Sequence, residues 1–259
     1  MPAHPFLPTD TALVTGASSG IGLALAHELD KLGIGEMVLV ARRMGELQSL
    51  ASQLRCQTRI FSCDLSQPSE RTDLLKELPH IDILINNAGF GCRSQFGDQT
   101  ITKWNSMVEL HVTTTIELCH HTLPSMRKNK RGFIVNVGSS IGEFSVPSSG
   151  LYCATKAFIN NFTESLRMEE APNGIRAMLL APGPVNTAFF SVSQANRTPP
   201  KGALSPQIVA QDTLKALQRG LPRYMPDWKI RLLVTTARHL PRTMCYSFIQ
   251  QIHHLKNHV

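Results

Sequence analysis

Six short apolar runs alternate along the chain with longer stretches of helical period, and this alternation restricts the fold more than any other feature of the sequence. It is the pattern of β-strand, crossover helix and parallel β-strand. The runs are Ala12–Thr15, Met37–Ala41, Arg59–Ser62, Ile81–Asn86, Gly132–Val137 and Arg176–Ala181. Helical stretches fall at Ile21–Leu32, Gly45–Leu54, Ser69–Leu78, Thr102–Lys128 and Leu151–Glu170. Runs such as IDILIN and GFIVNV are apolar almost throughout, as expected of strands covered by helices on both faces. The sequence therefore predicts an α/β fold, a doubly wound parallel sheet of at least six strands. Right-handed crossovers gather the strand C-termini along one edge, where such sheets bind ligands.

Composition agrees with one large core. Of 259 residues, 42% are hydrophobic and 17% charged, which excludes a disordered or low-complexity chain. We find no internal repeat and no linker-like segment, so residues 1–259 are expected to form a single Rossmann-type domain. No apolar run approaches the ~20 residues of a membrane span, and Met1–Asp10 lacks the pattern of a secretory signal. A soluble, cytoplasmic protein is expected. Six cysteines are scattered without metal-finger spacing, and are expected to be reduced thiols with no metal site. The formal charge of +7 suits nucleic acid, an anionic membrane or a phosphate-bearing small molecule without choosing among them.

The first run leads straight into Thr15-Gly16-Ala17-Ser18-Ser19-Gly20-Ile21-Gly22 and then a helix. Glycines permit a tight turn and a close approach of backbone to pyrophosphate, and the helix start offers free N–H groups and a positive dipole end. The spacing is G-x-x-x-G-x-G, not the general dinucleotide fingerprint G-x-G-x-x-G, so the turn alone does not identify a cofactor. Ala41-Arg42-Arg43 closes the second run where an acid would bond a ribose 2′-hydroxyl and an arginine would accept a 2′-phosphate, favouring NADP(H) over NAD(H). Arg42 is the expected contact, with Arg43 a solvated charge at a helix start. Asp64 either accepts from an adenine amino group or caps the helix beginning near Ser66. Asn86-Asn87-Ala88-Gly89 ends the fourth run with small and amide residues that admit a ribose.

The reaction chemistry lies in Tyr152-Cys153-Ala154-Thr155-Lys156. On a helix, positions i and i+4 share a face, which sets an ammonium beside a phenol. Adjacent positive charge would stabilise the phenolate and lower a pKa that is ordinarily about 10, fitting the pair to exchange a proton with an alcohol or carbonyl. Upstream, the fifth run ends in Gly138-Ser139-Ser140, which sets a hydroxyl at the cofactor edge. Ser139 and Ser140 are rivals for holding the substrate oxygen.

Taken together, these residues resemble the short-chain dehydrogenase/reductase family. The resemblance spans residues 11–187 and rests on four motifs in order: Thr15–Gly22, Asn86–Gly89, a serine thirteen residues before Y-x-x-x-K, and P-G-x-V-x-T at Pro182–Thr187. It implies Tyr152 as acid–base group, Ser139 holding the reacting oxygen, and Lys156 tuning the tyrosine and binding the nicotinamide ribose. It also implies cofactor contacts along Gly16, Ser18, Ser19, Gly20, Ile21 and Gly22, at Asn87, Ala88 and Gly89, and at Pro182, Gly183, Val185 and Thr187. Where the family has an asparagine in the helix after N-N-A-G, this chain has His111. That imidazole either preserves a proton relay behind the lysine, shifts its pH dependence, leaves it broken, or is a packed helix histidine.

Residues 187–205, including AFFSVSQANRTPPKGALS, have no clear period and are expected to be a substrate lid at the ligand edge. Residues 228–259 are expected to form amphipathic helices, with Ile230, Leu233, Val234, Ala237 and Leu240 in one apolar set and Met244, Phe248, Ile249, Ile252 and Leu255 in the next. This region carries five Lys/Arg and no Asp or Glu, leaving three uses open: peripheral membrane contact, guarding a pocket for a long apolar substrate, or packing against another subunit. The expected activity is metal-free, NADPH-dependent reduction of a ketone or aldehyde, reversible to the alcohol. A fairly large hydrophobic substrate is expected, such as a 3-oxoacyl, steroid-like or polyketide compound. The resemblance further suggests a homodimer or homotetramer. The rival reading is an NADP-binding regulatory or scaffold protein with little turnover; no motif supports nucleic-acid binding.

Overall fold

The computed structural model describes residues 6–190, 198–241 and 243–247. Seven parallel strands form one sheet in the order β3-β2-β1-β4-β5-β6-β7. They are β1 (Thr11–Thr15), β2 (Glu36–Ala41), β3 (Gln57–Ser62), β4 (Ile83–Asn86), β5 (Gly132–Val137), β6 (Ile175–Leu180) and β7 (Arg223–Tyr224). The six expected strands are present, β5 with the expected bounds and the others with ends shifted by at most two residues. β7 has no apolar run to announce it, being only Arg223 and Tyr224, directly after Pro222, which pair beside Leu179 and Leu180.

Alternate side chains explain the continuous apolar runs. Ala12 and Val14 join Met37, Leu39, Ile83 and Ile85 on one face, packed against α1 (Gly20–Lys31), α2 (Met44–Ala51) and α7 (Pro206–Gln218). Leu13, Val38, Val40, Leu84 and Ile134 point to the other, against α3 (Pro68–Glu77), α5 (Thr114–Asn129) and α6 (Gly150–Glu170). A third, smaller cluster, Ile159, Leu179, Ala181, Met225 and Val234, seats the C-terminal helix α8 (Trp228–Arg238).

The long helix expected at Thr102–Lys128 is broken by geometry. α4 (Ile101–Val108) passes through one π-helical turn, Glu109–Thr113, before α5. Carbonyls loosened by the wider turn are recovered by hydroxyls: Thr114 donates to the oxygens of Glu109 and Leu65, and Thr115 donates to that of His111. His111 sits in the middle of this turn.

Among the described residues no helix is long and apolar enough to cross a membrane. Part of the expected lid, residues 191–197, lies outside the described residues, as do Phe248, Ile249, Ile252 and Leu255 of the second apolar set. What is described of the 187–205 segment is held at its base, where Val185 bridges Leu204 and Asn186 N–H donates to the Leu204 oxygen.

Candidate active site

Strand order reverses between β1 and β4, and a cleft of about 670 Å³ opens at the strand C-termini there. Gly16 lies at the end of β1 with φ +65°, a conformation that favours glycine. A side chain at Gly22, in the first turn of α1, would meet the Gly16 oxygen at 2.4 Å and Asn87 Nδ2 at 2.5 Å. Gly22 therefore serves the contact between helix start and turn, and does not line the cleft. Gly16, Ser18, Ser19, Gly20 and Ile21 do.

The turn is tied across the switch point by two residues. Asn87 Nδ2 donates to the oxygens of Thr15 (2.9 Å) and Gly16 (3.3 Å), while the Thr15 hydroxyl accepts from the N–H groups of Asn87 and Ala88 and donates to the Ile85 oxygen. The Asn87 amide is thus committed to shaping the turn. In the sequence Thr15 is only the first letter of a motif; its cross-strand role needs a partner seventy residues away. Ser19 stands at the N-cap of α1 without a side-chain cap bond, and the first turn carries no acid. These free N–H groups and the dipole end form an anion site in the cleft wall.

Arg42 and Arg43 both line the cleft. Arg43 is more than a solvated charge, because its guanidinium donates to Ser18 Oγ at 3.0 Å and pairs with Glu46. Arg42 is exposed and has no ion-pair partner among the described residues. Asp64 lines the cleft as well, and its capping role differs from the sequence reading. Gln67 holds the N-cap of α3, and Asp64 Oδ1 instead closes a turn by accepting from the Ser66 N–H (3.0 Å) and hydroxyl (2.8 Å). Ala88, Gly89, Pro182, Gly183, Val185 and Thr187 complete the same cleft.

The opposite wall holds the candidate reactive groups. Tyr152 and Lys156 lie one turn apart in the first two turns of α6, and Lys156 Nζ donates to the Val137 oxygen at 2.7 Å, at the end of β5. The ammonium is 5.9 Å from the phenol ring centroid. Ser139 is in extended backbone, with Oγ accepting from Ile141 N–H at 3.3 Å and donating to the Pro182 backbone oxygen at 3.5 Å, and it is the serine whose hydroxyl acts on the Tyr152 phenol. Ser140 also lines the cleft, with its N–H donating to the Pro182 oxygen.

Electrostatics differ from the sequence expectation in one respect. Burial raises the Tyr152 phenol above its ordinary value, with the Ser139 hydrogen bond working against the rise. Burial lowers the Lys156 ammonium to about 8. In a low-dielectric wall both groups move toward neutrality, and the lysine spends its hydrogen bond on Val137. The phenol keeps its proton at neutral pH.

His111 is buried and does not line the cleft. Its Nε2 accepts from the Phe90 N–H at 3.1 Å, which fixes Nδ1 as the protonated nitrogen facing Thr155 Oγ1 at 2.9 Å. Thr155 in turn donates to the backbone carbonyl oxygen of Tyr152, not to its phenol. Burial, then the Lys156 charge, push the imidazole pKa well below its ordinary value. Both nitrogens are occupied in the neutral form, the arrangement of the packed-histidine alternative.

One cluster was not found from sequence. Glu143, after Ser139, binds Arg223 of β7 at 2.6 Å and Arg238 of α8 at 2.9 Å, and accepts from Asn160 Nδ2 at 2.8 Å. Asn160 Nδ2 also donates to the Ser139 backbone carbonyl oxygen at 3.2 Å. Burial works to raise the Glu143 carboxyl, but the two arginines outweigh it and hold it below the usual range. The serine turn is thereby fastened to the C-terminal helix, whose Ile230 and Leu233 line the cleft mouth with Phe144, Phe189 and Phe190. The Phe189 ring lies 5.8 Å from that of Tyr152. No single residue type or short spacing marks this network.

Comparison with known proteins gives a consistent result. Residues 10–198 match the family model for short chain dehydrogenase. An oxidoreductase of Staphylococcus epidermidis is 36% identical over 180 residues, covering 68% of this chain and 78% of its own. Among solved structures, a short-chain dehydrogenase from Sphingobium yanoikuyae in complex with NADPH is 26% identical, covers 96% of both chains and superposes with a TM-score of 0.78. A bulky-bulky ketone specific alcohol dehydrogenase from Comamonas testosteroni, also 26% identical, covers 98% of this chain and 96% of its own with a TM-score of 0.76.

Proposed function

The chain belongs to the short-chain dehydrogenase family, and within it we propose that this oxidoreductase is an NADPH-dependent reductase of bulky hydrophobic ketones. The observation carrying the reading is one cleft with a phosphate-binding wall and a proton-donating wall facing each other. Free helix N–H groups and Arg42, without an ion-pair partner among the described residues, form the first; Tyr152, Ser139 and Lys156 form the second.

The residues fit a nicotinamide dinucleotide. The N–H groups at the start of α1 would hold the pyrophosphate, with Gly16 allowing the approach. Arg42, with Arg43 and Ser18 beside it, would hold a 2′-phosphate, and Asp64 would accept from the adenine amino group. Ala88, Gly89 and Lys156 would hold the nicotinamide ribose, and Pro182, Gly183, Val185 and Thr187 would hold the nicotinamide. When bound, the nicotinamide supplies the hydride.

Tyr152 donates its proton to the carbonyl oxygen, Ser139 donates a hydrogen bond to the same atom, and the Lys156 charge stabilises the phenolate that remains. His111 is a positioning residue, holding Phe90 and Thr155 around the tyrosine. Phe144, Phe189, Ile230 and Leu233 make the substrate end apolar, which supports a bulky hydrophobic ketone and a lid role for the segment following Thr187. The likeness to an enzyme described as specific for bulky-bulky ketones agrees with that substrate class. Nothing favours the non-enzymatic rival.

The 2′-phosphate assignment is tested by Arg42→Ala. Losing a charge-assisted contact worth about 1.5–3 kcal/mol should weaken NADPH about 10–100-fold and leave NADH almost unchanged. Equal weakening of both cofactors, measured by fluorescence titration, removes the assignment.

Lys156 sets a pH limit. It must be charged to stabilise the phenolate, and its pKa is about 8, so reduction should be level near neutrality and decline above about pH 8. Lys156→Arg keeps its proton, so whatever activity it retains should lose this alkaline limb. An unchanged limb in the variant assigns it to another group.

A further inference from the structure

The C-terminal helix presents two unlike faces. Ile230, Val234 and Ala237 turn inward, and at a helical period Trp228 and Leu232 stand on the opposite side. They are large and bare, 62% and 60% exposed. Leu233, next to Leu232 in the chain, is 50% exposed as well. Lys229 and Arg231 flank the outward ridge and are both exposed, Lys229 Nζ lying 5.8 Å from the Trp228 ring centroid. Arg238 is taken by Glu143 and does not contribute.

An occupant must cover apolar side chains and accept positive charge. From Trp228 to Val259 the sequence has no acidic residue. A second copy docking here about a two-fold axis would bring this basic face against itself with no carboxylate from the segment to pair it. An anionic lipid surface satisfies both requirements: tryptophan and leucine enter at headgroup level while lysine and arginine meet phosphates. The same helix lines the cleft mouth with Ile230 and Leu233.

We propose that the outward ridge of α8, Trp228 and Leu232 flanked by Lys229 and Arg231, docks on an anionic lipid surface and turns the cleft mouth toward substrate dissolved in it. The docking stands on the ridge alone. The delivery of substrate rests on the ketone reading above.

The test uses the full chain with vesicles of phosphatidylcholine, alone or with equal phosphatidylglycerol, read by co-sedimentation and tryptophan emission. The only other tryptophan, Trp104, is buried, so the emission change reports Trp228. The expected result is binding to the anionic vesicles with a shift to shorter wavelength, weakened by salt and at least about tenfold weaker without phosphatidylglycerol. Lys229→Glu/Arg231→Glu should lose binding about tenfold or more, and Leu232→Asp should lose the emission shift. Both variants should keep the parent melting curve and turnover of a water-soluble ketone. Absence of vesicle binding, or equal binding to both vesicle types, overturns the proposal. So does a dimer of the full chain that Leu232→Asp dissociates, which would make this face a contact between copies. Vesicle binding by a chain that reduces no ketone would leave the docking standing and sink the function reading alone.

Discussion

Replacing Tyr152 with phenylalanine should lower turnover by about 10²–10⁴-fold, the range supplied by a positioned general acid. The change removes one oxygen and leaves the ring, so its contacts with His111 and Phe189 persist and the fold should be unaffected. NADPH affinity should remain within a few-fold of the parent, because the phosphate-binding wall lies across the cleft. Steady-state kinetics and a cofactor titration on the same preparation separate the two effects. Parent-like turnover in Tyr152→Phe would take the proton from some other donor.

The second large effect is expected at Gly22, which does not line the cleft. The position where its Cβ would sit is 2.4 Å from the Gly16 oxygen and 2.5 Å from the Asn87 amide. Neither obstacle is the free end of a flexible side chain. The oxygen belongs to the turn, and the amide is fixed by bonds to Thr15 and Gly16. Gly22→Val should therefore force α1 away from the turn, costing about 3 kcal/mol or more of stability and most of the cofactor affinity. Chemical denaturation and NADPH titration would show both. A variant as stable as the parent with unchanged affinity would mean that helix and turn can separate freely.

Much of this architecture could be read from the chain because its strands are buried on two faces. Leu13 and Val14 serve opposite clusters, so both must be apolar, and the run stands out. β7 could not be seen in that way, since its two residues are recognised only through their partners on β6. The same division holds at the cleft. Tyr152, Lys156 and Ser139 are tied by spacings of four and thirteen residues, which a helix and a strand end convert into proximity. Glu143, Arg223 and Arg238 are far apart along the chain and ordinary in type, so only the folded contact joins them.

Charge was harder to read than position. From sequence the lysine lowers the phenol pKa; in the fold burial acts on both groups and raises the phenol instead. His111 illustrates the same limit. Its ring titrates near neutrality in water, but a π-helical turn buries it with both nitrogens bonded, so it stays neutral. Desolvation depends on everything packed around a group, and no local spacing encodes it.

If the two walls of the cleft carry out a single reduction, a bulky hydrophobic ketone incubated with the protein and NADPH deuterated on one face of the nicotinamide, in turn for each face, should give an alcohol carrying deuterium on its carbinol carbon from one face only, formed in step with loss of reduced cofactor. Alcohol without deuterium from either face, or no alcohol across a broad range of such ketones with NADPH bound, would rule that reduction out.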